Sequence, residues 1–541
     1  MTTNDTNDLA FGRAAFPSGH SRLPGELLSQ AVERRKSRST MICRLECMTD
    51  AVGQWSQLLG DSYVRTDLET LDRFARTTLP NGTRPAVVLQ PTNSSDVQAI
   101  VRIAARLRVP LHPSYPDANW GYGDGCAPAD GWAIVDLSRM NQILHVDERL
   151  ACAVVEPGVT QGQLSQYLRE NQPSLMLDIS TDGPTTSVIG STLQKSWGYS
   201  PYADRWSRIR GMEVVLPDSR ILRTGSGRCS EQVGGPFSGS THCGPHLDGL
   251  FCQSHLGIVT RMGLPLMARP ECIEAYHCSI RSDEDLPALV EAVRELRLQR
   301  TILSTVEIAN DLRAISTQRP FPSELLPADD GPARIPGTLR LQLREQCGVG
   351  AWNLYGGLYG STETVSLSKK QLKQLLGPIG TLQFFSRRSL SIARRMNRVS
   401  RAVGFGTRSA GNLDSAEMVF DLISGIPQPR HRPGLGWHSP APVGDAIDPG
   451  QTGLICHCVV VDATADAASQ AMALVEQVTN EFQLDPLLTW TSVFERALQL
   501  TIHLTYDPHC HADRLRAKEC WQALKSSLET QRFMPARQPW L

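Results

Sequence analysis

The sequence Ser-Tyr-Pro-Asp-Ala-Asn-Trp-Gly-Tyr-Gly-Asp-Gly fills residues 114–125 and decides the fold of the first half of the chain. An apolar strand at 86–89 and an amphipathic helix precede it, and the apolar face of that helix is predicted to carry Val97, Ile100, Val101, Ala104 and Leu107. Ser95 and Gln98 have capping-box spacing at the start of this helix, which Pro110 ends. Strands at 133–137 and 151–155 follow the glycine-rich stretch. The order of strand, helix, strand, glycine-rich loop and strand indicates an α+β nucleotide-binding unit.

The three glycines of this loop point to a phosphate ligand. Gly121, Gly123 and Gly125 allow backbone N–H groups to approach a diphosphate, because glycine has no Cβ to keep the oxygens away. Asn119 stands beside them as a further donor. The loop lacks the Gly-Lys-Ser/Thr of a P-loop, and it does not open a helix as a dinucleotide fingerprint does. The glycines alone therefore leave the ligand open.

The pattern changes near Arg269-Pro270, where we place a domain boundary. Before it, strands at 212–216 and 221–224 are joined by the turn Pro217-Asp-Ser. Beyond it, a strand followed by a helix occurs three times, at 273–280 with 286–296, at 352–359 with 371–376 and at 453–461 with 468–479. Ser282 is predicted to cap the first of these helices. The repeat predicts an antiparallel sheet covered by helices.

The expected fold class is α+β, divided into three segments. Residues 1–47 are largely polar and are predicted to form a mobile extension. Residues 48–270 form the nucleotide-binding domain and residues 271–541 a second domain. Glycine-rich sequence at 229–245 predicts a surface loop, and the proline- and glycine-rich stretch at 425–450 predicts a loop that borders a site.

Composition restricts the partners of the chain. Lys and Arg number 54 against 55 Asp and Glu, a net charge of −1, so nothing marks the chain for nucleic acid or an anionic membrane. No window approaches the ~18–20 apolar residues of a spanning helix, and the first residues lack the apolar core of a signal peptide. The 14 cysteines are therefore expected to be reduced, in a cytoplasmic protein. A small molecule is the expected partner, and a homo-oligomer is left open.

Seven short pieces of sequence follow one another across the first half of the chain. They are Gly121-Tyr-Gly123, Val154-Val-Glu-Pro-Gly-Val-Thr160, Gly190-Ser, Gly198-Tyr-Ser-Pro-Tyr202, Gly211-Met-Glu-Val-Val-Leu216, Arg223-Thr-Gly225, and Asp248-Gly-Leu-Phe251 with Gly257-Ile-Val-Thr260. In order and spacing the series resembles the vanillyl-alcohol oxidase and 4-cresol dehydrogenase branch of the FAD-binding type-4 (PCMH-type) flavoproteins. The resemblance runs from about residue 85 to 270, and more loosely to Arg537.

The resemblance implies a two-domain flavoprotein, with FAD in a PCMH-type first domain and the second domain as a cap over the isoalloxazine ring. It also implies hydride abstraction from the benzylic carbon of a para-substituted phenol, which gives a quinone methide that water attacks or that rearranges. Such a site must hold the phenolate, place the benzylic C–H near flavin N5 and offer an acid/base group.

Three catalytic positions follow from the resemblance. Tyr122 matches a tyrosine whose hydroxyl helps to bind the substrate phenolate; the alternative is a rigid aromatic side chain that closes the loop. Asp182 matches the acid/base aspartate near N5, with a turn-capping aspartate as the alternative. Arg537 matches the arginine of a phenolate-binding Tyr-Arg pair, and Ala536 here takes the place of the tyrosine.

The cofactor is expected to contact mainly backbone atoms. The predicted positions are Asn119, Gly121, Gly123, Pro157, Gly158, Gly190, Ser191, Ile258 and Val259. Asp117-Ala118 replaces the cation that family members place before the loop, so an anion stands near the diphosphate and is expected to weaken FAD binding by roughly 1 kcal/mol or more.

The resemblance places Leu454 where several family members carry the His or Tyr that tethers FAD, so non-covalent FAD is predicted. His457 lies three positions further along the strand and thus on the other face, although a three-residue slip of the alignment would make it the tether. Neither Cys456-His457-Cys458 nor His509-Cys510-His511 has the Cys-x2-Cys spacing of a zinc site, so no metal is predicted.

The sequence thus predicts a flavin-dependent oxidoreductase that takes a hydride from a phenolic or related aromatic substrate. Two alternatives stay open. One is a divergent member with weakened or lost catalysis that acts as a binding or scaffold protein, and the other is an enzyme of the same flavin fold acting on a sugar or hydroxy acid. The resemblance also implies a segment after Arg537 that returns to the cofactor domain in family members. This chain is expected to lack that segment.

Overall fold

A computed structural model describes residues 46–116, 120–225, 245–326, 334–402, 410–428, 433–438, 448–537 and 539. The predicted mobile extension at 1–47 and the predicted loop at 229–245 lie almost wholly outside these ranges, as do parts of the predicted loop at 425–450. Within the described residues, no helix is at once long and apolar enough to cross a lipid bilayer.

The glycine-rich loop joins two strands of a small mixed sheet. The strands are β1 (Val64–Arg65), β2 (Val87–Leu89), β3 (Leu111–Ser114) and β4 (Ala133–Asp136), in the order β1-β2-β4-β3. Helices α1 (Leu68–Ala75) and α2 (Ser94–Leu107) accompany them. β4 runs parallel to both β2 and β3, so α2 forms the crossover between parallel strands. The predicted order of strand, helix, strand, loop and strand is confirmed.

The predicted capping box of α2 is wrong. The helix begins one residue earlier than Ser95, and Asn93 is its N-cap, with the side chain accepting a hydrogen bond from the amide of Asp96. Asn is as good an N-cap as Ser, since its side-chain oxygen satisfies one of the free amides of the first turn. The buried face of the helix does carry Val97, Ile100, Val101 and Ala104, as predicted.

A second sheet is antiparallel and follows in the chain. Its strands are β5 (Ile143–Asp147), β6 (Cys152–Val155), β8 (Met212–Val215), β9 (Ile221–Arg223) and β10 (Ile258–Pro265), in the order β5-β6-β10-β8-β9, while β7 (Leu175–Met176) pairs with β11 (Met267–Ala268). Helices α3 (Gln161–Asn171) and α4 (Val188–Leu193) pack nearby. β8 and β9 pair antiparallel, as the predicted turn between them requires.

The remaining strands form one eight-stranded antiparallel sheet, in the order β15-β12-β14-β13-β17-β18-β16-β19. They are β12 (Cys272–Ile280), β13 (Val306–Asn310), β14 (Trp352–Gly360), β15 (Thr381–Phe385), β16 (Gly453–Asp462), β17 (Leu487–Ser492), β18 (Ala497–Tyr506) and β19 (Met534–Arg537). The predicted domain boundary at 270 lies just before β12 and stays a prediction.

Helices cover this sheet, which confirms the predicted arrangement. They are α5 (Leu286–Leu298), α6 (Asp311–Ser316), α7 (Gly337–Cys347), α8 (Thr362–Leu376), α9 (Arg387–Ala402), α10 (Ala410–Ile423), α11 (Ala465–Glu481) and α12 (His511–Thr530). Leu289 of α5, Leu372 of α8, Val475 of α11 and Leu524 of α12 are fully buried in one core with the sheet. Each such side chain contributes about 1.5–3 kcal/mol on burial. Ser282 caps the 3-10 turn Asp283–Asp285, so the predicted cap of α5 is one turn too early.

The eight-stranded sheet contacts the glycine-rich loop directly through β16. The amide of Cys456 donates to the carbonyl of Gly121 at 2.9 Å, and the amide of Leu454 donates to the carbonyl of Thr78 at 2.9 Å. The hydroxyl of Tyr506 on β18 donates to that same Thr78 carbonyl at 2.6 Å. Two strands near one edge of the sheet, β16 and β18, thus hold the loop and the neighbouring Thr78 in place.

Candidate active site

A cavity of about 200 Å³ lies where the loop meets the eight-stranded sheet. Tyr122, Asp182 and Arg537, the three predicted catalytic residues, all line it. They come from the glycine-rich loop, the segment before α4 and the last strand, so only the tertiary fold brings them together. Glu307 from β13, Arg313 from α6 and Lys195 complete the charged lining.

The loop tyrosine is held between a cation and an apolar strand face. The guanidinium carbon of Arg537 lies 3.9 Å from the centroid of the Tyr122 ring, and the ring packs against Leu454, Cys456 and Cys458. Burial raises the pKa of the Tyr122 phenol well above its usual range, while the positive charge of Arg537 opposes that rise. The phenol therefore stays protonated.

Two serine hydroxyls orient the Asp182 carboxylate. Its Oδ2 accepts hydrogen bonds from Ser180 Oγ at 2.8 Å and from Ser196 Oγ at 2.5 Å. Its backbone carbonyl accepts a third from Thr186 Oγ1 at 2.8 Å. The carboxylate is thus fixed at the cavity wall by Ser180, which precedes α4, and by Ser196, which follows it. A carboxylate held in this way is suited to act as an acid/base group.

Sequence reasoning missed a buried pair in the same cavity. Glu307 Oε2 accepts a hydrogen bond from the Tyr199 hydroxyl at 2.6 Å. Burial raises the pKa of Glu307, and the Tyr199 hydrogen bond and the Arg313 charge oppose that rise. Tyr199 belongs to the Gly198-Tyr-Ser-Pro-Tyr202 piece, which carried the resemblance without receiving a role. The available signal was a glutamate between apolar residues in the strand Val306–Asn310.

Other cavity residues are also polar and were not predicted. His503 Nδ1 lies 3.0 Å from the carbonyl of Leu487, and burial lowers the pKa of His503 to about 3, so its ring is neutral. Trp197 Nε1 donates to Gln499 Oε1 at 2.5 Å. His503 and Gln499 lie on β18, whose alternating burial points every second side chain toward the cavity side of the sheet.

The backbone conformation of the loop explains why residues 121 and 123 are glycines. Gly121 and Gly123 have φ values of 74° and 127°, a region that L-residues rarely adopt. A Cβ on Gly121 would lie 2.3 Å from the Sγ of Cys456, so the loop approaches β16 too closely for any side chain there. Asn119, together with Asp117-Ala118, lies outside the described residues.

Four of the predicted cofactor positions have backbone amides that already donate hydrogen bonds within the protein. The amides of Gly121, Gly158, Gly190 and Ser191 already donate within the protein, to Thr78 Oγ1, Met140 O, Ser187 Oγ and Ser187 O. A Cβ at Gly158 would meet backbone carbonyls at 2.5–2.9 Å, and one at Gly190 would meet Tyr115 at 2.6 Å. These glycines therefore permit close packing of the chain, and cofactor contact at these positions stays a prediction.

The remaining predicted cofactor positions lie on the same elements. The Pro157 carbonyl accepts from Ser187 Oγ at 2.5 Å, which ties the segment before α3 to the start of α4. Ile258 and Val259 begin β10, where they pair with Val215 and Val214.

A second cavity, of about 380 Å³, adjoins the first at Tyr122 and Arg537. Neutral polar side chains line it, among them Gln253 and the pair His112 and His255, whose Nδ1 and Nε2 lie 3.1 Å apart. Burial lowers the pKa of His112 to about 3. Neutral donors and acceptors beside a glycine loop with positive φ fit a flavin, whose ring carries uncharged polar heteroatoms. Ala536, Arg537 and Pro539 line this cavity too, so the described end of the chain itself reaches the loop.

The β16 strand shows which side chains face the loop. Leu454, Cys456 and Cys458 form a buried cluster with Tyr122, whereas His457 lies on the other face, 6.5 Å from the ring of Trp521. The prediction assumed that Leu454 and His457 lie on opposite faces of the strand, and they do. Non-covalent binding of FAD itself stays a prediction. Within the described ranges, no group of three or more His, Cys, Asp or Glu side chains is placed to hold a metal ion.

Comparisons with known proteins agree with this geometry. Residues 85–225 match the FAD binding domain family. The chain is 31% identical over 498 residues to 1'-carboxy-chondrochloren decarboxylase of Chondromyces crocatus, covering 90% of each. It is 27% identical over 495 residues to the flavoprotein subunit of 4-cresol dehydrogenase (hydroxylating) of Pseudomonas putida, covering 89% of this chain and 86% of that one. A solved structure of p-cresol methylhydroxylase with substrate bound has a TM-score of 0.80 at 26% identity, covering 92% of this chain and 90% of that one.

Proposed function

The chain belongs to the vanillyl-alcohol oxidase and 4-cresol dehydrogenase branch of the FAD-binding flavoproteins, and we propose that it oxidises a para-substituted phenolic or related aromatic substrate. As a FAD-linked oxidoreductase it needs a site that holds a reducing substrate beside the flavin. The observation that carries the proposal is the meeting of Tyr122, Asp182 and Arg537 in one cavity next to the glycine-rich loop. When bound, FAD supplies the acceptor for a hydride from the substrate.

In this proposal the phenol oxygen of the substrate binds between Arg537 and Tyr122. The Arg537 guanidinium offers charge-assisted hydrogen bonds, which favour the phenolate form of the ligand. The raised pKa of Tyr122 keeps its own hydroxyl protonated and so able to donate. Negative charge that is stabilised on the substrate oxygen makes the benzylic carbon of the para substituent a better hydride donor, because the ring conjugates the oxygen with that carbon.

Asp182 is the proposed acid/base group at the other end of the ring. Its Oδ2 is already fixed by the hydroxyls of Ser180 and Ser196, so the carboxylate pays little orientational entropy when it accepts a proton from water or from a benzylic hydroxyl.

FAD is proposed to bind without a covalent tether. Leu454 and the thiols of Cys456 and Cys458 are the β16 side chains that face Tyr122, and His457 faces α12. The visible spectrum of the purified protein before and after acid precipitation tests this. Flavin bands that leave with the supernatant support it, and bands that stay in the pellet overturn it.

A second candidate is a family member that binds ligand without oxidising it. Ala536 favours this candidate, since it replaces a tyrosine of the relatives and packs against the apolar cluster of Tyr122 without offering a hydroxyl. Anaerobic mixing of the flavin-loaded protein with 4-ethylphenol or vanillyl alcohol separates the two. Bleaching of the flavin absorbance supports the oxidoreductase, whereas ligand-induced spectral shifts without bleaching favour the binding protein.

A further inference from the structure

One cation in the cavity lacks a partner of its own. Arg313 lies on α6, where Asn310 is the N-cap and accepts a hydrogen bond from the Arg313 amide at 3.0 Å. Its side chain lines the 200 Å³ cavity, and within the described residues its guanidinium makes no hydrogen bond, while Nη1 itself is buried beside Gly434. Among the described residues, no carboxylate oxygen lies within 4.0 Å of its guanidinium nitrogens.

The neighbouring arginines show what an ordinary pairing looks like in this region. Arg340 and Arg344 both form ion pairs with the buried carboxylate of Asp311, the first residue of the same helix. Glu307 acts on Arg313 electrostatically from beyond ion-pair distance, and its Oε2 is engaged by Tyr199. Arg313 is therefore left with open donor capacity on the cavity wall.

Such a guanidinium is costly to bury unless an anion completes it. Buried polar groups in proteins are nearly always hydrogen-bonded, and an unpaired buried charge is among the most destabilising features a fold can carry. A guanidinium is planar and forked, so it matches a carboxylate through two parallel hydrogen bonds. The missing partner is thus of the size and shape of a carboxylate.

The position of Arg313 separates it from the proposed phenol site. Arg537 acts on Tyr122, whereas Arg313 lies close to Tyr199 and Tyr355, and the thiol of Cys456 senses the charge of both arginines. Tyr355 also lines an adjoining cavity of about 1210 Å³. A ligand in the smaller cavity that has two polar groups can therefore contact Arg537 with one of them and Arg313 with the other.

We propose that Arg313 binds a carboxylate on the side chain of the substrate, so that the substrate class is a hydroxyaryl carboxylic acid and not an uncharged alkyl phenol. This inference rests on the proposed function, whose phenol site it uses, and adds a second recognition point to it.

A matched pair of ligands tests the inference, 3-(4-hydroxyphenyl)propanoate and 4-propylphenol, which share a ring and a three-carbon chain. Dissociation constants are read from the shift of the flavin absorbance in the holoprotein, and anaerobic flavin reduction is followed separately. The wild-type protein is expected to bind the acid at least about tenfold more tightly. Arg313→Met should lose that preference, while its affinity for 4-propylphenol stays within about twofold.

Two further variants keep the test decisive. Arg313→Lys retains the charge without the fork and should recover only part of the preference. Arg319→Met is the control, because Arg319 lies just beyond the same helix, pairs with Glu324 and lines neither cavity. It should leave both affinities unchanged, and melting temperatures with circular dichroism show whether each variant is folded.

The outcomes separate this inference from the proposed function. The proposed carboxylate site would be wrong if Arg313→Met lost affinity equally for both ligands. It would also be wrong if the wild-type protein bound 4-propylphenol more tightly than the acid. If 4-propylphenol alone reduces the flavin and binds more tightly, the proposed function stands and this inference fails. If the acid binds through Arg313 but neither ligand reduces the flavin, the carboxylate site stands and the proposed oxidation fails.

Discussion

The guanidinium carbon of Arg537 lies over the ring of Tyr122, 3.9 Å from the ring centroid. A cation–π contact of this kind is attractive, by about 0.5–2 kcal/mol. One side chain comes from the glycine-rich loop and the other from the last strand. Their contact therefore joins the two cavities into one functional region.

Loss of the Arg537 charge should weaken oxidation of phenols. A hydrogen bond to a charged group is worth about 1.5–3 kcal/mol, so Arg537→Met should slow flavin reduction by 4-ethylphenol roughly 10- to 100-fold. Arg537→Lys keeps the charge, so its rate of flavin reduction should lie between the rates of Arg537→Met and the wild type. Stopped-flow measurement of the flavin absorbance under anaerobic conditions checks this, and an unchanged rate in Arg537→Met removes Arg537 from the substrate site.

Tyr122→Phe distinguishes the two roles considered for this tyrosine. The variant keeps the ring that packs on β16 and removes only the hydroxyl, which is worth about 1 kcal/mol as a neutral donor. We expect the dissociation constant for a phenol to rise about fivefold, with the flavin content unchanged. A dissociation constant equal to that of the wild type would leave Tyr122 as a rigid aromatic side chain that closes the loop.

Asp182→Asn should slow the proton-coupled step with a benzylic alcohol. General acid/base groups contribute about 10²- to 10⁴-fold, so single-turnover flavin reduction by vanillyl alcohol should fall at least about 100-fold. Ser196→Ala is the comparison, because it removes one of the two hydroxyls on the same oxygen and keeps the carboxylate. Its effect should be smaller, and equal rates in Asp182→Asn and the wild type exclude the acid/base role.

The close approach of the loop to β16 can be tested at Gly121. In Gly121→Ala the new methyl group would lie 2.3 Å from Cys456 Sγ, in a backbone with φ of 74°. Strain of both kinds should cost about 2–4 kcal/mol and lower the flavin content of the purified protein. Gly131→Ala is the matched control, with φ of 76° and no atom within 4 Å of its Cβ position. If both variants lose flavin alike, crowding against Cys456 is not the cause.

A histidine behind the sheet should make the fold sensitive to acid. His457 is fully buried, both of its ring nitrogens lack hydrogen-bond partners, and burial lowers its pKa to about 4. The unfolded chain takes up the proton near pH 6.5 and the folded protein only near pH 4, so stability is full above about 6.5 and falls as the pH drops through this interval.

Replacing His457 should remove part of this pH dependence. One pKa unit corresponds to about 1.36 kcal/mol. Between pH 6.5 and pH 4 the wild type should therefore lose up to about 3 kcal/mol more of its free energy of unfolding than His457→Met loses. Urea titrations across this range measure the difference. His511→Gln, at an exposed position, is the control. Parallel curves for His457→Met and the wild type would contradict the prediction.

The alternation of apolar residues was enough to predict the strands and helices that have one clear face. β12 with α5, β14 with α8 and β16 with α11 were found in this way. α9 was missed because its sequence, with arginines at 387, 388, 394 and 395, shows little apolar surface. β13 was missed because Glu307 and Asn310 interrupt its apolar run; Glu307 lines the site, and Asn310 caps the helix that carries Arg313.

The candidate site was predictable only as far as ordered motifs reach. Tyr122, Asp182 and Arg537 followed from the order of the pieces that carry the family resemblance. The Glu307–Tyr199 hydrogen bond and the position of Arg313 depend on β13 lying between β14 and β17, a strand order that no local pattern encodes. Long-range pairing thus places the charges that periodicity cannot assign.

The hydrogen bonds from Cys456 to Gly121 and from Leu454 and Tyr506 to Thr78 have a consequence for how the protein is made in the cell. During translation the glycine-rich loop leaves the ribosome more than 300 residues before these supports are synthesised. The loop therefore cannot take its final shape in a nascent first half, and the holoprotein should assemble only after synthesis has passed Tyr506. An isolated N-terminal fragment should accordingly remain colourless, however much cofactor its host supplies.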